Sequence, residues 1–385
     1  YLDNVRVTGF LKTPSVTDDF NYKNYLLKDG IYSVMDFPGV ELISHKTNYT
    51  FSTFLYDKIL LFKEKLRKSL NYNFSPPQSL VMEGIVLGNS RTMTQDLRDK
   101  LNATGLRHLT AISGANIVIL SFIVMTVLLF LGLWRSQAFY VSIILIWFYI
   151  VAVGLPSSGI RAGIMGSLLL LAQHIGRQNT GSRTIMFAAS IMLLHNPMLL
   201  LYDVGFQLSF LASLGIIHLK PLIDATTRIA FAERLKNKKL KLQFFYNSKA
   251  KEFLLRFLKE LGSIISITIA AQIFTLPVIL YNFGMVSLVA PVTNLLILPI
   301  IPFLTSLGLL SSVFGIFSNF LGWVLALPCY LMLSYFLKIL DIFNQPWAVL
   351  SLHRISLVWF LLYFSILGFA IWFLEKKQKP KFLGY

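Results

Sequence analysis

The 385-residue sequence has one cysteine, Cys329, set inside an apolar run. No intrachain disulfide can form, and a thiolate metal site, which needs several cysteines, is excluded. Acidic residues are scarce: 18 Asp and Glu stand against 35 Lys and Arg, a formal charge of +17. All charged residues together make up 14%, well below the roughly one quarter of a soluble globular protein. The 6 His are scattered, with no H-x-x-H or H-E-x-x-H spacing. Walker A and G-x-S-x-G elements are missing too, so nothing points to a metal hydrolase, a P-loop ATPase or an α/β-hydrolase. The reading expects no enzyme activity, no metal and no cofactor, and any transport must draw on a gradient or another machine. The chain begins at Tyr1 without Met or a signal-peptide pattern, and is read as a fragment.

What is abundant is apolar. Hydrophobic residues make up 55%, Phe alone numbers 32, and the mean hydropathy is +0.64. Several windows of about 20 apolar residues follow, each enough for a bilayer core of ~30 Å. They are too long and continuous for barrel strands, and lipid leaves unpaired backbone no partner, so the spans must be helical. The expected fold is an all-α polytopic membrane protein. Its excess of cations fits the positive-inside bias of such proteins before it fits nucleic-acid affinity.

Residues 1–56 differ from the rest. Val5 to Leu11 alternates loosely, and Ile31 to Ile43 is a second β-rich run around Pro38-Gly39, which together predict part of a small extracellular β domain. Asp57 to Leu70 predicts an amphipathic helix on the membrane surface, with Ile59, Leu60, Phe62, Leu66 and Leu70 against Lys58, Lys63, Lys65, Arg67 and Lys68. Pro76-Pro77 ends it, and Leu80 to Leu101, punctuated by Gly84 and Gly88, predicts short interfacial helices. Residues 57–106 are thus read as interfacial, 107–374 as transmembrane and 375–385 as a basic cytoplasmic tail.

About nine spans are predicted, some broken or re-entrant: 107–132, 138–154, 159–176, 183–196, 203–219, 261–281, 285–312, 319–341 and 355–374. Orientation follows from Lys and Arg. A basic loop at 234–259 and the tail with Lys376, Lys377, Lys379 and Lys381 are both expected in the cytoplasm, with Arg135, Arg177 and Arg183 on the same side. Nine spans then leave the N-terminal part outside and the C-terminus inside. Count and charge agree.

Three polar clusters interrupt the apolar background. Thr104 to Phe122 passes from Arg107 and His108 into an apolar helix that carries Ser113, Gly114 and Asn116 near its start. Gly154 to Gly163 sets Pro156, Ser157 and Ser158 before Arg161, with Ala162/Gly166 and Gly163/Ser167 at close-packing spacing. Asp203 to Ser213 carries Gly205, Ser209 and Ser213 four apart, and Asp203 and Gln207 also four apart. Polar groups at membrane depth are costly unless a partner or a watery cavity receives them. The alternatives stay open: small stripes serve helix contacts, Arg161 snorkels, Asp203 caps a helix, and Gln272 and Asn294 are interhelical hydrogen-bond glue.

At these clusters the chain resembles the ComEC family of bacterial competence proteins, inner-membrane channels for DNA uptake. His108-Leu109-Thr110-Ala111-Ile112-Ser113-Gly114-Ala115-Asn116 matches an H-L-x-A-I-S-G-x-H segment, except that Asn116 stands where many members carry His. Pro156 with Arg161-Ala162 matches P-x-x-x-R-A, and Asp203 through Ile216 matches D-x-G-F-Q-L-S-F-x-A-x-x-G-I. The run from Asp19-Phe20-Asn21-Tyr22 to Gly30-Ile31 looks like the end of the family's extracellular OB-like domain. No H-x-H-x-D-H motif of the family's metallo-β-lactamase-like domain occurs in these residues.

The resemblance implies a channel passing single-stranded DNA into the cytoplasm during natural transformation. It implies membrane lipid, a DNA receptor and a cytoplasmic helicase-type motor as partners, and the bacterial inner membrane as location. The site residues it brings forward are His108, Ser113, Gly114, Asn116, Pro156, Ser157, Ser158, Arg161, Asp203, Gly205, Gln207 and Ser209, as path lining or as helix-fixing groups. The competing readings are a membrane scaffold or export component, an anchor for an active domain elsewhere, and a small-solute transporter.

Overall fold

The apolar runs fold as helices, and several of the breaks, as at Gly154 with Pro156, at Gly176 and at Pro197, fall at Gly or Pro. The computed structural model describes residues 3–15, 22–44, 50–176, 181–237, 248–351 and 356–378. In order they form β1 (Asn4–Thr8), β2 (Leu11–Lys12), α1 (Tyr22–Leu27), β3 (Val34–Met35), β4 (Gly39–Ser44), α2 (Phe51–Asn73), α3 (Gln78–Leu87) and α4 (Gln95–Ala103). A 3₁₀ turn at Arg107–Thr110 leads to α5 (Gly114–Phe130), α6 (Arg135–Val153), α7 (Ser157–Ile175), α8 (Gly181–His195), α9 (Leu199–Tyr202) and α10 (Val204–Asn237). Then come α11 (Ser248–Phe283), β5 (Met285–Ser287), α12 (Ala290–Ile297), α13 (Ile301–Phe317), α14 (Asn319–Phe343), β6 (Val349–Ser351) and α15 (Leu357–Gln378).

Four of the described helices contain stretches long and apolar enough to cross a membrane: Arg135–Val153, Val204–Thr226, Lys259–Phe283 and Asn319–Phe343. A fifth arises if α12 and α13 form one broken span, as the prolines at 291, 299 and 302 suggest. That is fewer than the nine of the sequence reading. The expected third and fourth spans are helical, but α7 carries Arg161 in a start rich in Ser and Gly, and α8 has only 15 residues. The first expected span also shortens: Arg107 and His108 belong to a separate 3₁₀ turn, and α5 starts at Gly114. The basic loop proves helical at both ends, with its middle, residues 238–247, outside the described residues. Arg177, Asp19 to Asn21 and the tail lysines at 379 and 381 also lie outside them.

The chain divides into two compact units. The first comprises Tyr1–Asp99, Arg107–Phe206 and Ile300–Asp341. Its β strands pair antiparallel as β1–β4 and β2–β3, two separate ladders that are exposed or half-buried rather than a closed barrel. Its centre is α3, a helix buried along nearly its whole length, from Ser79 through Val81 to Leu87. This burial goes beyond the expectation of short interfacial helices, which did not place α3 inside the protein. Small residues make the burial possible. A methyl group on Gly84 would strike Met93 and Thr110, and one on Gly308 of α13 would strike Met82. Helix α2 packs on α3, α6 and α13 through Ile59, Leu66, Ser69 and Leu70, while Phe54, Leu55 and Leu61 remain exposed.

Helices α5, α6 and α7 share a second core of Ile112, Ile117, Ile146, Ile150 and Ala162. Each fully buried Ile contributes about 1.5–3 kcal/mol in water, less where lipid is the alternative surrounding. Gly163 lies against Ile150 and Trp147, and the Trp147 indole N–H donates to Ser167 Oγ at 3.2 Å, so this small-residue pair serves helix contact. Between α6 and α7 the chain turns sharply, with φ of 105° at Gly154 and 53° at Leu155. Leu pays roughly 1–2 kcal/mol for that left-handed conformation.

The second unit comprises Lys100–Leu106, Gln207–Pro299 and Ile342–Tyr385. Leu219 and Leu222 of α10 pack on Ala270 of α11, with Ile371 of α15 beside them. The Tyr363 hydroxyl donates to the Ile273 carbonyl at 2.9 Å, and β5 pairs antiparallel with β6. Thr293 donates to Thr104 O and Ser287 to Ala103 O, both at 2.7 Å. Of the two late amides, Asn294 Oδ1 is buried with no hydrogen-bond partner among the described residues, and Gln272 lines an apolar groove.

Candidate functional site

One helix, α6, separates α5 from α7, and α8 with the short α9 separates α7 from α10. Their first turns meet. Ser158 Oγ of α7 donates to the Ile112 carbonyl just before α5, at 2.6 Å. A Cβ on Gly114 would stand 3.8 Å from an Arg161 guanidinium nitrogen and 3.9 Å from Ala162 Cβ, so the start of α5 lies directly against α7. At the start of α10, a Cβ on Gly205 would stand 3.0 Å from Asp203 Oδ1 and 3.2 Å from Ser157 Oγ. The contact at 205 is tight enough to favour glycine, whereas a Cβ at 114 would make only ordinary van der Waals contact.

The electrostatics follow from the ends brought together. The first N–H groups of a helix have no acceptor within it, and they carry the positive end of its dipole. Neither Ser113 before α5 nor Pro156 before α7 supplies a side-chain cap. Only α10 is capped, by Asp203 Oδ1 accepting from Phe206 N–H at 3.0 Å. The remaining oxygen of Asp203 is paired with Lys28 Nζ at 3.2 Å. Arg161, half-buried, adds its charge beside two uncapped helix starts. Such starts receive phosphate or carboxylate oxygens.

Several residues from the sequence reading turn out to hold helices. Asn116, 3% exposed, donates from Nδ2 to the Ile85 carbonyl at 3.0 Å and accepts from Ser113 Oγ at 3.3 Å. Ser158 is likewise a tie, and Asp203 is a cap. Pro156 sits at the bend before α7, Ser157 and Gly205 border each other, and His108 is exposed on the 3₁₀ turn. Gln207 and Ser209 fall in the second unit, where Ser213 Oγ donates to Ser209 O at 2.9 Å within α10.

The sequence reading missed three participants. Glu83, 1% exposed, forms an ion pair with Arg67 Nε at 2.6 Å and accepts from Asn89 at 3.0 Å and Thr92 at 3.2 Å. Its signal was present: an acid in the apolar run Val81-Met82-Glu83-Gly84-Ile85. Burial lowers the pKa of nearby Lys63 below the usual lysine value, with Glu83 opposing the shift and Arg91 and Arg67 adding to it. The second participant is Tyr149, whose hydroxyl donates to Val86 O at 2.6 Å, next to the carbonyl that Asn116 takes. The third is Lys28, for which the polar run around it carried no signal.

Residues 85–377 match the family described as competence protein. Among curated proteins, ComE operon protein 3 of Bacillus subtilis (strain 168) is 23% identical over 300 residues, covering 77% of this chain and 34% of that protein. The chain therefore spans about a third of the length of that relative. No solved structure matches it.

Proposed function

This chain belongs to the competence protein family, and on that premise we propose that it is a bacterial inner-membrane channel passing single-stranded DNA into the cytoplasm during natural transformation. The observation that carries the reading is the meeting of the uncapped starts of α5 and α7 beside Arg161. A strand entering a membrane loses phosphate hydration, and backbone N–H groups with one cation replace it without holding the polymer tightly. Arg161 and the Ser157-Ser158 bend form the outer part of the path in this reading. Asn116, Ser158 and Asp203 keep its walls in register. The exposed and half-buried strands β1 to β4, as part of an OB-like module, guide the strand to the mouth. The nine-span topology, with the N-terminal part outside, belongs to the same proposal, as do a DNA receptor and a cytoplasmic motor as partners. The chain is not itself an enzyme in this scheme.

Two measurements test it. Arg161→Ala in a transformable host should abolish or strongly reduce transformation at unchanged protein level, and normal transformation would remove Arg161 from the path. A strand carrying a photoreactive group should crosslink to cysteines placed at Ser157, Ser113 or Ser209. Uptake of DNA without crosslinking at any of them would overturn the channel assignment.

A further inference from the structure

Lys28 is far from the mouth in sequence yet touches it in space. Its ammonium lies 3.2 Å from Asp203 Oδ2, and both side chains are 11% exposed. The same ammonium stands 4.5 Å over the Tyr25 ring. The backbone is held as well, since Asn196 Nδ2 donates to the Lys28 carbonyl at 2.8 Å. Asp203 in turn caps Phe206 N–H, and Asp203 and Ser157 both border Gly205. One ion pair thus joins the segment after α1 to the first turn of α10.

We propose that Lys28 is a further positioning residue of the mouth, and that its pair with Asp203 is a latch which a phosphate can open. Two charges so far from water are stable only as a pair. Removing either leaves the other uncompensated and releases α1. A phosphate anion offers the ammonium the same oxygen chemistry as the carboxylate, so it can take Lys28 while Asp203 keeps its cap to Phe206. The opening step rests on the channel reading above; the latch itself does not.

Spin labels on Tyr32→Cys and Leu194→Cys, both exposed positions of the first unit, report the distance across the latch in the full chain with Cys329→Ala. One narrow distance distribution is expected with Lys28 and Asp203 intact. Lys28→Met should broaden it, as should Asp203→Asn, which keeps an oxygen for Phe206 N–H, whereas Lys28→Arg, which keeps the charge, should leave it narrow. Lys28→Met and Asp203→Asn indistinguishable from the parent, or Lys28→Arg as broad as Lys28→Met, would overturn the latch. Oligodeoxythymidylate and inorganic phosphate should each broaden the parent distribution at an ionic strength where sodium chloride does not. Equal effects of all three would overturn opening by phosphate. A protein that moves no DNA would still show this dependence on the charge at position 28, so failure of the channel reading and failure of the latch are separable.

Discussion

Asn116 on α5 gives its amide hydrogen to the carbonyl of Ile85, in the last turn of α3, at 3.0 Å. The last carbonyls of a helix have no partner within it, and here two are taken by side chains from neighbouring helices: Ile85 O by Asn116 and Val86 O by Tyr149. A short buried helix is thereby fastened to α5 and α6.

Asn116→Leu should lower the thermal unfolding midpoint of the purified protein, since it leaves a buried carbonyl unpaired at about 1–3 kcal/mol. Tyr149→Phe should cost somewhat less, about 1 kcal/mol. Because both side chains hold one helix end, the double variant should lose other than the sum of the two. Strict additivity in the unfolding midpoints would show that α3 is not held jointly.

Glu83 holds the other side of the same helix. Replacing one partner of a buried pair costs about 3–5 kcal/mol, and the 38% exposure of the Arg67 side chain places this pair at or below the lower end. Glu83→Gln keeps the shape and the contacts to Asn89 and Thr92, so it should be milder than Glu83→Ala. The amount of folded protein recovered from membranes, read by size-exclusion chromatography, should fall in the order parent, Gln, Ala. Equal recovery of Glu83→Ala and the parent would remove Glu83 from the framework.

Helix positions were legible wherever an apolar run is bounded by a breaker. Helices α6 and α14 lie within a few residues of where the runs place them, and the sequence break at Pro156 is a break in the structure. Asp203 as a helix cap was also readable, because an acid before an apolar periodic run has that chemistry. Burial of α3 was not. Its apolar run is short and punctuated by Gly84 and Gly88, and the partner that receives Glu83, Arg67, stands in another helix. The role of Asn116 was half legible: the amide signalled a partner, but a backbone carbonyl 31 residues earlier carries no side-chain signature. Lys28 was invisible for the same reason, its partner being 175 residues away.

Gly205 separates a packing requirement from a chemical one. A methyl group there would stand 3.0 Å from Asp203 Oδ1 and 3.2 Å from Ser157 Oγ, so Ala requires a shift of a few tenths of an ångström. Gly205→Val should push α10 away from α7 and reduce transformation at near-normal protein level. Adding Ser157→Gly removes one of the two opposing atoms and should restore part of the activity. No recovery in the double variant would mean that the first turns of α7 and α10 do not meet in the working protein.

The bend before α7 supplies the sharpest comparison of stability with function. Leu155 sits at φ 53°, a conformation that costs a leucine about 1 kcal/mol or more and a glycine almost nothing. Relief of that strain alone would make Leu155→Gly more stable, partly offset by the greater freedom glycine gains in the unfolded chain. Strain held at a site persists when the surroundings fix it, and here they include the Lys63 ammonium, 3.4 Å from the Val153 carbonyl that ends α6. Leu155→Gly is therefore expected to change the unfolding midpoint little while loosening the bend that aims Ser157 and Arg161. Transformation should fall more than stability does. An increase in both would show that the strained leucine serves neither, and that the bend is set by Gly154 and Pro156 alone.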